Sequence, residues 1–323
     1  MNRFLKRVLS AMLLGVLVYG AFVLYTGLET IQASLARFHY SALALALLLA
    51  TTNYLIRFAK WQYYLSRLGV TGVGWLDSLL VFLSGFVLTI TPGKVGEVFK
   101  SAVLARTHDV AAERTAPIVV AERLTDAIGV IALIVVGSGA FAGGLSWAIA
   151  GTLAVAVGVA LIVWERPGLA AIAWMEGRGG ALGRMGPKLR IALGSLRVVA
   201  GPGALLWPTL LSVVAWACEG VALFVLLRGF GAQTPLGVAI FFYSTATLAG
   251  ALIPVPGGLG VAETMIQEQL VRLGGVPQGD ATAAMILVRF ATLWWAVLVG
   301  FMALGVLRLR FPERLGTPSE TLS

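Results

Sequence analysis

Cysteine occurs once in the 323 residues, at position 218, and histidine twice, at 39 and 108. A lone thiol excludes a disulfide framework, a CxxC pair and a thiolate metal site. Two histidines in separate predicted loops assemble no metal motif, so no metal or other cofactor is expected. Charge is scarce as well: 12% of residues are charged and 59% are hydrophobic, against about 25% and roughly 45–50% in soluble domains. That balance excludes a soluble globular domain and implies an integral membrane protein, with room for several spans of about 20 residues. No G-x-x-x-x-G-K-[ST] stretch occurs, so no nucleotide-driven step is expected. The formal net charge of +9 does not call for nucleic acid, because in a polytopic protein excess Lys and Arg marks the loops kept in the cytoplasm.

What is present is long apolar runs. They predict helices over 8–28, 41–64, 115–141, 146–164, 204–228 and 280–307. The first has a basic start, but its apolar stretch is too long for a signal peptide and no A-x-A cleavage site follows it, so it is expected to be retained. Residues 75–105 and 236–273 differ from the rest. Each is apolar, broken by Pro-Gly and helical again, with arms short for spanning, which predicts a re-entrant hairpin. The expected fold is therefore all-α: six spanning helices and two re-entrant hairpins in one membrane domain, residues 1–312, with a disordered tail over 313–323. A basic amphipathic segment is expected over 165–203.

Two hairpins also sort the charges. Of 24 Lys and Arg, 16 fall on one face, three (Arg37, Arg228, Arg272) on the other, and five (Arg57, Lys94, Lys100, Arg123, Arg289) at membrane depth. The crowded face, which takes in both termini, Lys60 and the 165–203 segment, is then cytoplasmic. Lys100 is expected to snorkel towards that surface. Trp61, Tyr63, Tyr64, Trp75, Trp147, Trp164 and Trp207 fall near span ends and are expected to be interfacial anchors.

The two breaks resemble each other. Pro92-Gly93-Lys94-Val95-Gly96-Glu97 and Pro256-Gly257-Gly258-Leu259-Gly260-Val261-Ala262-Glu263 share P-G-x-x-G followed by a carboxylate, with Pro254 just before the second. Arg123 and Arg289 follow at similar distances. The chain therefore reads as duplicated, 41–141 against 204–307, with the copies in opposite orientation. Inverted repeats with broken helices are an architecture of secondary transporters.

A charge at the bilayer centre costs from about 3 to above 10 kcal/mol, so the ionisable residues in these segments call for a function. Pro and Gly stop the helices, and the freed backbone groups must face protein or a wet cavity. The helix restarting after Pro92 would aim its N–H groups at that cavity, which suits an anionic headgroup. Lys94 adds a point charge for phosphate, and Arg123 or Arg289 a planar fork. Glu97 and Glu263 balance the arginines or take protons. Glu122 and Asp126 share one helical face, with Arg123 beside it, and Glu219 is a further intramembrane carboxylate. The plainer account is that Arg123 with Glu97 or Glu122, and Arg289 with Glu263, are static buried pairs that lock the fold.

The stretches TPGKVGEVFKSAVLAR, VVAERLTDAIGV and IPVPGGLGVAE resemble the flippase-like membrane family that includes the lysylphosphatidylglycerol synthase transmembrane region, the lipid-translocating half of MprF. The resemblance covers roughly residues 5–310 and implies a polytopic lipid flippase or lipid-handling domain. MprF adds a soluble aminoacyltransferase domain that does not follow here, so lysyl transfer is not expected. The function expected is translocation of a polar or anionic-headgroup lipid between leaflets of the inner (plasma) membrane by alternating access, with a separate lipid-synthesising enzyme as a further partner. The alternatives are an intramembrane enzyme with Glu97, Glu122 or Glu263 as general base, or a scaffold holding lipid for a partner.

Overall fold

The computed structural model describes residues 3–90, 97–138, 172–176, 178, 180–253 and 255–315, with the isolated positions 149 and 153. Every regular element among them is helical: α1 (Arg3–Thr26), α2 (Leu28–Ala36), α3 (Ser41–Arg67), α4 (Trp75–Ser84, extended by a 3-10 turn over Gly85–Leu88), α5 (Phe99–His108), α6 (Pro117–Ser138), α7 (Gly180–Ala200), α8 (Pro202–Gly229), α9 (Leu236–Leu252), α10 (Val261–Arg272), α11 (Gln278–Arg289) and α12 (Trp295–Arg310). The predicted helix over 146–164 lies outside the described residues apart from those two positions, and so does the tail beyond Leu315. Of the basic segment 165–203, residues Gly180–Ala200 form the helix α7, which packs on α6 rather than standing alone. Its Lys188 lies 2.9 Å from Glu113, and that hydrogen bond holds the Glu113 carboxyl below its ordinary value.

Among the described residues, three helices are long and apolar enough to cross a bilayer: α3, α8 from Gly203, and α11 with α12 as one rod over Gln278–Arg310. α6 has 22 residues, about 33 Å at 1.5 Å per residue, but carries Glu122, Arg123 and Asp126. α1 and α2 meet at 89°, where Gly27 adopts φ +89. The broken segments are shorter: α4 with its turn covers 14 residues, α5 10, α9 17 and α10 12, or about 15–26 Å against a hydrocarbon core of about 30 Å.

The central contact joins α3 to α8, and small side chains make it close. Ala42, Ala46, Ala50 and Asn53 recur at helical spacing on the buried face of α3, and Asn53 Nδ2 donates to the Ala215 carbonyl of α8 at 2.8 Å. Without an apolar driving force between helices in lipid, such small residues and interhelical hydrogen bonds are what bring helices together. A similar close approach presses α12 on the end of α4, where a Cβ at Gly300 would meet Val87 N at 2.6 Å.

The ends of the broken segments are placed by their partners. Near the end of α3, Arg114 donates to the Leu68 carbonyl, Arg310 reaches Asp77 at 2.8 Å, His108 lies 3.7 Å from Asp77, and Arg314 reaches Asp109 at 2.8 Å. The start of α4 and the end of α5 therefore lie at one end of α3. At its other end, the His39 N–H donates to the Gly229 carbonyl at 3.0 Å and Arg37 reaches Asp280 at 2.5 Å. That places the end of α8 and the start of α11 together, and α9 and α10 begin and end a few residues from them.

Between these ends the second break meets Ile90, the last described residue before the first. Ile90 and Leu259, from the second, belong to one small buried cluster with Leu293 and Val297, and a Cβ at Gly257 would lie 3.6 Å from Ile90 Cα. Gly258, at φ +69, has a conformation that other residues rarely adopt, and a Cβ there would lie 3.2 Å from Gly250 Cα. The P-G-G-x-G sequence is thus required by the backbone of the second break.

Candidate functional site

Four cations and three carboxylates meet where α3, α5 and α6 pack. On α3, Lys60 Nζ donates to Asp126 Oδ1 and to Ser212 Oγ, both at 2.6 Å, and Ser212 Oγ donates to Asp126 Oδ1 at 3.0 Å. On α5, Lys100 Nζ donates to Glu122 Oε2 at 2.5 Å and lies over the faces of Trp61 and Phe82, 4.6 and 5.2 Å from their centroids. On α6, Arg123 donates to Glu97 Oε2. Arg57 is placed differently. Its Nη2 is 3.8 Å from Asp126 Oδ2 and 3.9 Å from Glu97 Oε1, and its guanidinium lies 5.5 Å from the Phe86 centroid. The cluster is incompletely hydrogen-bonded: Glu122 Oε1, Arg123 Nε and Asp126 Oδ2 have no hydrogen-bond partner among the described residues.

The second break builds a smaller, closed set. Arg289 Nε donates to Glu263 Oε1 at 2.6 Å and Arg289 Nη2 to the Gly257 carbonyl at 2.8 Å. Glu263 Oε2 accepts the Gly260 N–H at 2.8 Å, and Oε1 accepts the Tyr19 hydroxyl at 3.2 Å. Trp294 Nε1 in turn donates to Tyr19 at 3.1 Å. In both pairs the arginine follows its glutamate by 26 residues. At the second break, the helix N-terminus is therefore occupied by the chain's own Glu263.

Between the sets lies a narrow, open cleft with a cavity volume of about 60 Å³, lined from both halves: Tyr54, Arg57, Phe86 and Thr89 from the first, Glu219, Tyr243, Thr247, Ala251 and Arg289 from the second. Glu219 Oε2 accepts the Tyr243 hydroxyl at 2.7 Å. Where the cleft meets the α11–α12 rod, residues Phe290–Trp294 form a π-helical turn, a local irregularity frequent at functional sites. The Tyr54 hydroxyl approaches the Thr292 carbonyl there at 3.4 Å.

Of the residues singled out from sequence, Glu219, Arg289, Gly257 and Gly258 line the cleft. Glu97 borders a smaller void with Arg57 and Lys100. Glu122, Arg123, Asp126 and Glu263 flank the cleft within the ion-paired sets. Pro256 opens the 3-10 turn of the second break, and Gly260, at φ +84, precedes α10. Pro92, Gly93, Lys94, Gly96 and Pro254 lie outside the described residues.

Three cations were misjudged or passed over. Lys60 was expected in the cytoplasmic face and Lys100 to snorkel, yet they are 0% and 3% exposed, because each finds a carboxylate on α6. Arg57 was assigned to membrane depth but given no role. A signal was available: Arg57 and Lys60 stand one turn apart inside an apolar helix, where two cations call for carboxylates nearby. Trp61 and Tyr64 are likewise core residues at 0% exposure rather than interfacial anchors, whereas Trp75 and Trp207 are exposed.

Comparison with known proteins agrees with this architecture. The profile of the family described as "Lysylphosphatidylglycerol synthase TM region" matches residues 12–300. A UPF0104 membrane protein of Methanothermobacter thermautotrophicus strain Delta H is 29% identical over 91 residues, which is 28% of this chain and 27% of that relative. The matched stretch thus spans about a quarter of the relative's length. With its long apolar helices and a family match over most of its length, this multi-pass membrane protein belongs to the lysylphosphatidylglycerol synthase transmembrane-region family.

Proposed function

We propose that the protein translocates a polar or anionic-headgroup lipid between the leaflets of the cell's inner (plasma) membrane by alternating access. The observation that carries this reading is the cleft beside the contact of the second break with Ile90, lined by polar residues of both halves. In this reading the chain is one membrane domain of six spans and two re-entrant hairpins. The hairpin 75–108 opens at one end of α3 and 236–272 at the other, as their end contacts favour. The face bearing Arg67, Arg106, Arg310 and Arg314 is then cytoplasmic, with both termini. The headgroup occupies the cleft, the tails stay in lipid, and rocking of one repeat against the other exposes the cleft alternately.

Transport is favoured over chemistry because the buried carboxylates around the cleft are engaged. Glu97, Glu122, Asp126 and Glu263 face cations, and Glu219 holds Tyr243. A general base needs instead to reach a reacting atom within about 3 Å.

The test is flip of headgroup-labelled lipids in proteoliposomes, across phosphatidylglycerol, its aminoacyl forms and polyprenyl-phosphate lipids. Wild-type protein is expected to flip one class. Ala251→Trp, which places an indole in the cleft from an exposed position, is expected to stop it without unfolding the protein. Absence of flip for every lipid by folded wild-type protein overturns the reading.

A further inference from the structure

We propose that α7 lies in the headgroup layer as a membrane-surface helix, and that its outer face binds anionic lipid of that leaflet at a surface separate from the cleft. The proposal does not rest on translocation. Only the choice of leaflet, cytoplasmic, follows from the orientation given above.

α7 has 21 residues, enough at 1.5 Å per residue to cross the hydrocarbon core, yet it is not among the helices apolar enough to do so. Four basic residues, Arg184, Lys188, Arg190 and Arg197, are spread along it with no acid among them. The described side chains sort by face. Ser195, Val199 and Ala200 are buried, and Val199 joins the core around Trp61 and Phe82. Pro187, Ile191, Gly194 and Val198 are exposed and recur every three or four residues, so they form one stripe on the outer side. Arg190 and Arg197 flank that stripe on one side and Lys188 on the other, all three exposed.

An apolar stripe between basic flanks is the pattern of a helix lying in the membrane interface, and its neighbours place α7 there. Shortly after Val198, Pro202 opens α8, whose Leu206, Leu210 and Val214 are exposed on a helix that crosses the bilayer and therefore face lipid. Ahead of α7, the exposed Trp174 carries the Arg178 guanidinium 4.3 Å from its ring centroid, and a tryptophan under a cation suits headgroup depth. Lys188 pairs with Glu113, beside the Arg114 that donates to the Leu68 carbonyl. α7 therefore sits at the Arg67 end of α3.

The charge on this surface is unbalanced. Over residues 172–200, five Lys and Arg stand against one acid, Glu176. Glu176 pairs with Arg190, and Glu113 with Lys188; the cations of both pairs are more than half exposed, so the pairs contribute little and exchange readily. With both acids counted, cations still exceed carboxylates by three. A leaflet rich in anionic lipid supplies negative charge in one plane with apolar depth beneath it, and it attracts basic residues by charge rather than by headgroup identity. A second copy or a soluble protein would also cover the stripe, but neither accounts for its leading into the lipid-facing side of α8.

The test is fluorescence quenching of the protein in phosphatidylcholine nanodiscs, with Cys218→Ser as background and bimane attached at Ile191→Cys, at Val198→Cys or, as a control, at Leu24→Cys on α1. The quenchers are phosphatidylcholine, phosphatidylglycerol and phosphatidylserine, each carrying a nitroxide near the top of one acyl chain and each at the same low mole fraction. Bimane at Ile191 and Val198 is expected to be quenched by all three, and by the two anionic lipids about 2- to 5-fold more than by phosphatidylcholine. At Leu24 the three are expected to quench alike. Lys188→Gln, Arg190→Gln and Arg197→Gln together, or high salt without them, are expected to bring the ratio to about 1.

Bimane that no lipid quenches at either α7 position overturns the proposal and assigns the face to a protein, whether a second copy or another chain. Equal quenching by neutral and anionic lipids overturns it as well, because the stripe is then ordinary lipid contact. A preference confined to phosphatidylglycerol overturns selection by charge. Where the triple variant does not fold, the salt series decides. Flip is read separately: an anionic preference at α7 in a protein that flips no lipid leaves this proposal standing and removes translocation, and flip without the preference does the reverse.

Discussion

Glu97 with Arg123 and Glu263 with Arg289 are the same pair at the same spacing, set in opposite surroundings. Around Glu263, one arginine, one backbone N–H and one hydroxyl satisfy a carboxylate that is 0% exposed. Around Glu97, two arginines compete for attention with Asp126, and two lysines hold carboxylates one helical turn apart on α6. A buried pair whose two carboxylate oxygens are both hydrogen-bonded favours one arrangement. A crowded set with unmatched atoms and interchangeable partners has several close in energy, which is what an element that changes partners during a transport cycle requires. In the proposed transport cycle, the second site is the lock and the first is the part that moves.

That contrast makes unequal predictions for equivalent substitutions. Arg289→Met is expected to have the largest effect, destabilising by about 3–5 kcal/mol, because it leaves Glu263 buried with no cation within reach. Arg123→Met is expected to cost less, about 1–2 kcal/mol, since Arg57 stands 3.9 Å from Glu97 and can close on it. Denaturant unfolding of both variants in one detergent reads the difference directly. Equal losses would erase the distinction between lock and moving part.

Tyr19→Phe ranks next. It removes the hydroxyl that bridges Glu263 to the Trp294 indole, leaving one acceptor position and one donor unmatched, at about 1 kcal/mol. α1 stands outside the two stretches proposed as repeats, so the Glu263 set is completed by a helix that neither stretch contains.

The same asymmetry marks what could be read from sequence. The matched breaks, the carboxylates after them and the arginines downstream are visible as spacing, because a helix stopped by Pro and Gly needs those residues locally. The pairing of Glu263 with Arg289 follows once the repeat is aligned. Lys60 with Asp126 and Lys100 with Glu122 do not, because each joins helices whose relative rotation is fixed by packing. Lys60 reaches Asp126 only because Ala46, Ala50 and Asn53 turn one face of α3 to α8, and Ser212 of α8 completes the contact. Arg57 was hidden for a related reason: its long ion pairs to Glu97 and Asp126 join α3 to other helices, whose relative rotation the sequence does not place.

The exposed ion pairs at the two ends of α3 extend the comparison and give the smallest effects. At the first, Arg310 pairs with Asp77, and Arg314 with Asp109 and the carbonyls of Arg106 and Thr107 at the end of α5. At the second, Arg37 pairs with Asp280. All three arginines are between 44% and 59% exposed, so Arg310→Gln and Arg37→Gln are each expected to cost between about 0 and 1 kcal/mol, vanishing at high salt. Arg314→Gln is expected to keep part of its cost there, because backbone carbonyls at a helix C-terminus remain unmatched acceptors when ions screen the charge. Unfolding midpoints at low and high salt separate the two kinds of contact. A loss for Arg314→Gln that disappears with salt as completely as that for Arg310→Gln would mean that the end of α5 is held by charge alone.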